Sequence, residues 1–437
     1  MFTIAKDLKI LLSMTLLTSA INSIAHTKSQ QEKSNGSIVN VCGNHRDGFY
    51  LQRNEELFKI KGVGGQTNLE LLADLGGNSI RTWGIGEDTE EILDRAQNAG
   101  ISVTLGIWVG HERHGFDYRD KDDLNKQRQQ ITAAIEKFKN HPALLCWGLG
   151  NEMEGVIGEG SDQIIWREIN HLATLIKGID SNHPIMSVVA NINASKIKAI
   201  KKYAPAVDIL GINAYAGASE LKSKIRSYDW EKPYVLTEFG PPGPWEVDHT
   251  EWKAPIEPSS RDKMSHYYAS YQDVAEDTQQ CLGSYAFLWG NKQEATASWF
   301  GMLLEDGSKL PVADTMSFLW NGTWPDNRSP LLDHVEIPFA NKRNKAKKSF
   351  SVKATYKDPD FDSLSYEWTL FKESEDRKIG GDKEHAPEEF KECIIETKSK
   401  GRATIQTPSQ KGAYRLYLTV RDGKGGAAID NWPFYVK

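Results

Sequence analysis

The sequence is short of cysteine, of long charged runs and of long apolar runs. Its 437 residues include four cysteines, which do not have the spacing of metal ligands. The net charge is -6 and no long lysine- or arginine-rich block is present, so the composition gives no reason to expect a nucleic-acid partner. Beyond the N-terminus no apolar run approaches the roughly 20 residues that a membrane helix needs. We therefore expect a globular protein without a nucleic-acid partner or stable membrane insertion.

The first residues have the pattern of a secretory signal. Lys6 and Lys9 provide positive charge, and the residues between Lys9 and Ala25 are largely apolar. Serine and threonine interrupt this apolar run, which argues against a membrane anchor. We expect residues 1–25 to be a signal peptide that is cleaved near Ala25, and the protein to be secreted or periplasmic. Residues 26–47 would then form an N-terminal segment.

A long central region alternates strand-like apolar runs with helical patterns. Eight such strand-then-helix units follow one another, and eight units in about 250 residues are typical of a (β/α)8 TIM barrel. A doubly wound open sheet is the alternative, but residues 62–65 (GVGG) do not have the G-x-G-x-x-G turn expected after its first strand. We predict an α/β fold, with a TIM-barrel catalytic domain over residues 48–325.

The chain changes character after the barrel region. Residues 321–330 are rich in Gly, Pro, Asn and Asp and mark a boundary. Beyond them, runs with period-two alternation such as residues 349–354 and 414–420 predict β-strands. We predict a small all-β sandwich over residues 335–437. If this sandwich folds independently, a chain that ends near Asn327 should still fold.

Two apolar runs of the barrel region end in a carboxylate. Residues 143–152 (ALLCWGLGNE) are apolar up to a final Asn151-Glu152 pair, and residues 234–240 (YVLTEFG) carry Glu238 near their end. A buried parallel strand with a polar C-terminal tip typically opens into a site. Two carboxyl groups at the same end of a barrel can perform acid/base and nucleophilic chemistry on a sugar acetal. We therefore predict that Glu152 and Glu238 are the catalytic pair.

The two motifs that contain these carboxylates also resemble a known group of enzymes. WGLGNE, ending at Glu152, and LTEFG, containing Glu238, resemble the signatures of strands four and seven in the retaining glycoside hydrolases of clan A. The likeness covers about residues 57–320 and is nearest to family 2 and related β-glucan-active enzymes. It implies that Glu152 is the general acid/base and Glu238 the nucleophile. Because this pair suffices and no ligand cluster is apparent in the sequence, we expect neither metal nor organic cofactor.

The resemblance extends to five further positions. It implies that Asn151 bonds the sugar 2-hydroxyl, that Arg81 lies near the nucleophile and that Tyr215 donates a hydrogen bond to it. Trp289, which ends the eighth strand, is similar to the tryptophan that forms the floor of the reacting subsite. His111, just after strand three, is a further candidate ligand of the substrate. The structural alternatives are a core salt bridge for Arg81 and plain packing for Tyr215 and Trp289.

Aromatic residues supply candidate platforms for further sugar units. The sequence has 13 tryptophans, and Trp108, Trp245 and Trp299 follow predicted strands three, seven and eight. Each of them lies on the predicted substrate side, where an exposed ring can stack on a sugar. Core packing explains any single one of them equally well.

The C-terminal region contains an aspartate-rich turn. Residues 358–362 (DPDFD), together with residues 419–423 (TVRDG), resemble PKD-type Ig-like modules. The alternating aspartates are similar to a calcium loop, but Ser363 and Thr369 occupy the Gly and Glu positions of an EF-hand. We therefore interpret the cluster as turn-stabilising.

These observations predict an exported retaining β-glycoside hydrolase that cleaves a β-linked poly- or oligosaccharide by double displacement, with β-glucan as one candidate substrate. Two alternatives stay open. A transglycosylase would use the same two Glu residues but pass the glycosyl unit to a sugar acceptor. A non-catalytic carbohydrate-binding or adhesion protein would keep the aromatic residues and would not need both carboxylates.

Overall fold

The computed structural model describes residues 36–154, 162–378 and 380–437. The predicted signal peptide, residues 1–25, lies outside the described residues, as does the first part of the N-terminal segment. Within the described ranges, no helix combines the length and the apolar character needed to cross a bilayer.

A three-stranded antiparallel sheet precedes the barrel. It consists of β1 (Val39–Asn44), β2 (Gly48–Arg53) and β3 (Glu56–Phe58). The backbone N–H groups of Val39 and Phe49 donate to loops that precede two barrel strands, so the sheet covers the N-terminal end of the barrel. This sheet does not cover the opposite end, where the C-terminal ends of the barrel strands lie. Sequence analysis missed β1 because its run of apolar residues is too short to show a period.

Eight parallel strands close into a barrel, and a helix follows each of them. The strands are β4 (Ile60–Gly64), β5 (Ser79–Arg81), β6 (Ser102–Ile107), β7 (Leu144–Asn151), β8 (Ile185–Ala190), β9 (Ile209–Asn213), β10 (Tyr234–Phe239) and β11 (Cys281–Ala286). The helices are α1 (Leu69–Asp74), α2 (Thr89–Asn98), α3 (Lys121–Phe138), α4 (Gln163–Ile179), α5 (Ala194–Tyr203), α6 (Leu221–Ser227), α7 (Ser260–Ala275) and α8 (Pro311–Asn321). The predicted (β/α)8 fold is confirmed.

The hydrophobic pattern explains why these elements form. Every residue of β6, β9 and β10 is buried, as expected for strands that have the barrel interior on one face and helices on the other. Helix α4 buries Ile165, Ile169, Leu172 and Ile176, whose spacing of three or four residues places them on one face. A capping box at Ser259 begins α7.

Two four-stranded, mainly antiparallel sheets follow the barrel. They contain β12 (Leu331–Glu336), β13 (Arg343–Asn344), β14 (Ser349–Lys357), β15 (Ser365–Lys372), β16 (Ile394–Lys398), β17 (Arg402–Gln406), β18 (Gly412–Arg421) and β19 (Ala427–Val436). Their inner faces share one core that includes Val352, Trp368, Leu416 and Phe434. The predicted all-β sandwich is confirmed. Sequence analysis missed β12 and β16 because their polar and apolar side chains do not alternate and are mostly exposed.

The aspartate-rich turn is held by its own contacts. Asp358 accepts hydrogen bonds from the backbone N–H groups of Asp360 and Asp362, at 2.9 and 3.0 Å. Lys424 pairs with Asp362 at 2.6 Å, although the carboxylates of Asp358, Asp362 and Asp422 lie within 4.8 Å of one another. These contacts agree with the predicted turn-stabilising role.

The sandwich caps a helix of the barrel. Asp430 of β19 accepts hydrogen bonds from the backbone N–H and the hydroxyl group of Ser260, at 2.6 and 2.7 Å. Ser260 is the first residue of α7, so its N–H group has no partner within the helix. Asp430 is buried and also accepts from the Tyr356 hydroxyl group. The sandwich therefore completes the start of α7.

A buried charge network joins the two domains. Arg415 of β18 donates to both carboxylate oxygens of Glu373, at 2.7 and 3.0 Å, and to the barrel carbonyl of Pro255 at 2.8 Å. On the barrel side, Glu257 pairs with Lys263. Burial acts to raise the pKa of Glu257, but Lys263, with contributions from Thr296 and Arg415, lowers it overall. Because these charges are buried against each other, we no longer expect a chain that ends near Asn327 to fold as the full chain does.

We predict that Arg415→Ala lowers the free energy of unfolding by about 3–5 kcal/mol, because it leaves the buried carboxylate of Glu373 without its partner. Urea denaturation of the full chain measures this change. The matched control is Arg421→Ala, which removes a partly exposed arginine that pairs with Asp306 and Glu367. This control should lower the free energy of unfolding by less than about 1 kcal/mol. Equal losses in the two variants would contradict a stabilising role of the buried network.

Candidate active site

A cavity of about 840 Å³ opens at the C-terminal ends of the barrel strands. Its volume is within the range of small-molecule sites, and this end of a TIM barrel is where loops assemble such sites. Both predicted catalytic carboxylates, Glu152 and Glu238, line it. The structure therefore brings together two residues that are far apart in the sequence.

Glu238 is surrounded by hydrogen-bond donors. Its Oε1 accepts from Arg81 Nη1 at 2.8 Å and from Trp83 Nε1 at 2.9 Å. Its Oε2 accepts from the Tyr215 hydroxyl group at 2.9 Å. The carboxylate is almost fully buried, and these donors replace the water that would otherwise solvate its charge. Such an arrangement stabilises an ionised and well-oriented carboxylate.

Arg81 joins three strand tips. It is 2% exposed and lies at the end of β5. Besides its bond to Glu238, its Nη2 donates to Oδ1 of Asn151 at 2.6 Å. Arg81 also lies over the Trp83 ring, with 5.4 Å between its guanidinium carbon and the ring centroid. Arg81 therefore lies beside Glu238, as the resemblance implies. It is also buried and paired with a carboxylate, as in a core salt bridge.

The backbone turns sharply at the tip of β7 to present Glu152. Gly150 and Glu152 both have positive φ, at 72° and 52°. A side chain at Gly150 would place its Cβ 2.6 Å from Met153, so this position requires glycine. A positive φ at a non-glycine residue such as Glu152 is a form of local strain that is often found at functional sites.

The environment of Glu152 differs from that of Glu238. Its side chain accepts a hydrogen bond from Asn213 Nδ2 to Oε1 at 2.8 Å. Burial raises the pKa of Glu152 to about 7, and the negative charge of Glu238 adds to this rise, while the bond from Asn213 opposes it. Glu152 is therefore a carboxyl group that can hold a proton near neutral pH beside an ionised neighbour.

Hydrogen bonds fix the side chains of Asn151 and Tyr215, which both line the cavity. Oδ1 of Asn151 accepts from Arg81 and from Asn213, which leaves its NH2 group as the donor for a ligand. The Tyr215 ring packs near Phe287, with 6.1 Å between the centroids. Burial and then the charge of Glu238 raise the pKa of Tyr215 well above its usual value, so the hydroxyl group remains a donor.

The predicted aromatic residues divide into two groups. Trp108 and Trp245 line the cavity and are 43% and 64% exposed. Trp289 and Trp299 are buried, and their indole N–H groups donate to the carbonyls of Thr67 and Pro242. These contacts fit packing, which was the alternative for both. Phe287, two residues before Trp289, lines the cavity in its place.

His111 lies behind the cavity wall. It is buried, its ring contacts the backbone of Asn151, and its centroid is 4.8 Å from that of Trp108. It lines a separate cavity of about 150 Å³ together with Met153. Burial lowers the pKa of His111 to about 4, with smaller contributions from neighbouring cations, so the ring is neutral at pH 7. From this position His111 can hold the backbone of Asn151 in place and does not face the larger cavity.

Sequence reasoning missed several residues of the site. Trp83 could have been found, because it follows Arg81 by two residues at the same strand tip. Asn213 likewise precedes Tyr215 by two residues in the GINAY motif. Lys378, Gly380, Gly381 and Asp382 also line the cavity, although they belong to the segment between β15 and β16. No sequence signal connects these sandwich residues with the strand tips.

The barrel matches known proteins. Residues 67–242 match the family model "Glycosyl hydrolases family 2, TIM barrel domain". The chain is 24% identical over 190 residues to β-glucuronidase of Homo sapiens, a match that covers 40% of this chain and 27% of that protein. It is 25% identical over 93 residues to β-mannosidase of Bos taurus, which covers 21% of this chain and 10% of that protein.

Solved structures of similar fold agree with this match. A β-glucuronidase of Bifidobacterium dentium aligns with a TM-score of 0.52 at 19% identity, covering 66% of this chain and 49% of that chain. A β-glucuronidase of Bacteroides uniformis aligns with a TM-score of 0.51 at 17% identity, covering 92% of this chain and 48% of that chain. In all four comparisons the match spans less than half of the known protein. Over residues 67–242 the barrel of this chain is therefore similar to the TIM-barrel domain of the family 2 glycosyl hydrolases.

Proposed function

We propose that the protein is a retaining glycoside hydrolase that cleaves β-linked oligo- or polysaccharides by double displacement. The observation that carries this proposal is the contrast between two carboxyl groups in one cavity. Glu238 accepts hydrogen bonds from three side chains, whereas the pKa of Glu152 is raised to about 7, chiefly by burial. Pairs of carboxyl groups whose environments differ in this way perform the acid and nucleophile roles of glycosidases.

In the first step, Glu152 donates its proton to the glycosidic oxygen while Glu238 attacks the anomeric carbon. The bond from that carbon to the leaving oxygen breaks, and the leaving sugar departs as an alcohol. Arg81, Trp83 and Tyr215 hold the attacking carboxylate in one orientation. Asn151 can donate from its NH2 group to a hydroxyl group of the reacting sugar, because Arg81 and Asn213 occupy its carbonyl oxygen.

In the second step, a water molecule attacks the anomeric carbon and releases Glu238. Glu152 now takes the proton from that water. The covalent intermediate favours this change of role, because an esterified Glu238 no longer carries the negative charge that helps to raise the pKa of Glu152. The charge of one carboxylate thus controls the proton on the other.

The cavity suits a carbohydrate, because Trp108 and Trp245 present exposed rings to it. The relatives carry the names β-glucuronidase and β-mannosidase, so similar barrels act on different sugars. We propose β-glucans as one candidate substrate class within a panel that also includes mannans, galactans and uronate-containing chains. Mass spectrometry of the products identifies the reaction, since products longer than the substrate would indicate transfer to a sugar acceptor.

We also propose that the protein is exported, because residues 1–25 have the pattern of a signal peptide. N-terminal sequencing of the protein from a host that secretes it should then begin near residue 26. A protein that stays inside the cell and retains Met1 would contradict this proposal.

The two carboxylates can be distinguished by azide. We expect Glu238→Ala to lower turnover by several orders of magnitude, and azide to enter the vacated space and give a glycosyl azide of inverted configuration. Glu152→Ala keeps the nucleophile, so a substrate with an activated aryl leaving group should still form the glycosyl-enzyme. Azide then intercepts that intermediate and gives a glycosyl azide of retained configuration. Nuclear magnetic resonance of the products measures both configurations.

The matched control for this pair is Glu231→Ala, which removes an exposed glutamate in the loop before β10. It should keep normal turnover and give no azide adduct. Exchanged configurations would mean that the two roles are reversed, and normal activity in both Glu variants would place the active site elsewhere.

The raised pKa of Glu152 predicts the pH dependence. For an unactivated glycoside, kcat/KM should fall as the pH rises through about 7, because Glu152 loses the proton that the leaving oxygen needs. Glu238→Gln should lower the pKa of Glu152, because it removes a negative charge that raises it. A ¹³C carboxyl titration measures this pKa directly. A wild-type value near the ordinary 4.5 would contradict the assignment of Glu152 as the acid.

A further inference from the structure

The sandwich contributes one wall of the barrel cavity. Lys378, Gly380, Gly381 and Asp382, which we call the junction wall, line the same cavity as the two catalytic carboxylates. They lie on the segment between β15 and β16, which crosses from the sandwich to the mouth of the barrel. The cavity is therefore shared by two domains.

Buried contacts fix the junction wall on one side. Glu384 is buried, and its Oε2 accepts from the backbone N–H of Ala295 at 2.7 Å. Its Oε1 accepts from the backbone N–H of Lys378 at 3.1 Å. Lys292 donates to the carbonyl of Gly381 at 2.7 Å. Ala295 and Lys292 belong to the loop after β11, so this side of the wall is held by the barrel itself.

The other side of the junction wall meets the loop after β6. The Asp382 carboxylate lies 3.4 Å from Nε2 of His114. The Arg113 guanidinium group lies against Gly380, which has a φ of 68° and no side chain to displace it. This loop also carries Trp108, whose ring stacks near that of His114 at a centroid distance of 6.1 Å. The wall and Trp108 are therefore parts of one surface.

The groups on this surface have the chemistry of a sugar subsite. Trp108 offers an exposed aromatic face, Arg113 and Lys378 are cations, and Asp382 is an anion. Hydrogen bonds between charged groups and hydroxyl groups are stronger than those between neutral partners. None of the hydrogen bonds described above to Glu152 or Glu238 comes from these four residues. Lys378 pairs with Asp376 at 2.7 Å and Asp382 lies 3.4 Å from His114, but both side chains remain 48% exposed. They can therefore also contact a part of the substrate beyond the reacting sugar.

We propose that Trp108, Arg113, Lys378 and Asp382 form a second sugar subsite, which binds the unit next to the reacting one. The sandwich is then a specificity-determining part of the active site as well as a structural partner of the barrel. This inference rests on the proposed glycosidase function, because it names a further contact of the same substrate.

The test compares two kinds of substrate with the full-length protein. The first kind is a set of cello-, laminari- and manno-oligosaccharides of two to five units, and the second is the glycosyl fluoride of the same reacting sugar. A fluoride leaving group cannot occupy a second subsite. We expect Asp382→Ala and Lys378→Ala each to lower kcat/KM for the oligosaccharide about tenfold more than for the fluoride, through a higher KM. Asp382→Asn, which can still bond a hydroxyl group, should recover part of the loss.

The matched control is Lys383→Ala, which removes an exposed neighbour that is not among the described residues lining the cavity. This variant should leave kcat/KM nearly unchanged for both substrates. The second subsite is overturned if Asp382→Ala lowers kcat/KM for the oligosaccharide and the fluoride to the same extent. It is also overturned if Asp382→Ala lowers kcat/KM for neither substrate.

A binding measurement separates this inference from the proposed function. Saturation-transfer nuclear magnetic resonance can detect the same oligosaccharides on Glu238→Gln, which retains the cavity but cannot form the glycosyl-enzyme. Weaker binding after the additional Asp382→Ala change supports the subsite even if the wild-type protein turns over no substrate. Binding that Asp382→Ala does not weaken, or no binding of any oligosaccharide, contradicts the subsite.

Discussion

The active end of this barrel depends on one buried cation, the guanidinium group of Arg81. A charge that is 2% exposed is costly unless partners replace its water, and Arg81 finds them on two other strands. It donates to Glu238 of β10 and to Asn151 of β7, while it projects from β5. Its planar fork thus ties three strand tips together. The same contacts that satisfy the cation also orient the groups that face the cavity.

Only one of the two carboxyl groups benefits directly from that cation. Glu238 is bonded to Arg81, whereas Glu152 has the neutral amide of Asn213 as its donor. Burial therefore dominates at Glu152 and raises its pKa, and the anion at Glu238 raises it further. The two carboxyl groups therefore differ in their donors, because Arg81, Trp83 and Tyr215 bond Glu238 whereas Asn213 bonds Glu152. Two chemically identical side chains acquire different properties in one cavity.

The sandwich also contains a buried ion pair, and residues of one of its connecting segments line the cavity. Arg415 and Glu373 form a buried pair at the point where the segment between β15 and β16 leaves the sandwich. That segment then runs to the barrel mouth, where Lys378 and Asp382 line the cavity. A stable interface between the domains is thus also what positions a wall of the site. The N-terminal sheet covers the opposite end of the barrel, so neither end is built by the barrel strands alone.

The amino-acid sequence alone predicts the eight strand-and-helix units and the two strand ends that carry Glu152 and Glu238, because hydrophobic periodicity and chain order are local properties. The folded structure is needed to show that Trp289 packs inward while Phe287 lines the cavity, since this depends on how the backbone turns after β11. It also shows that Asp382 lines the same cavity. Residues that are distant in the chain become neighbours through the packing of one domain on another, and no periodicity in the sequence records that packing.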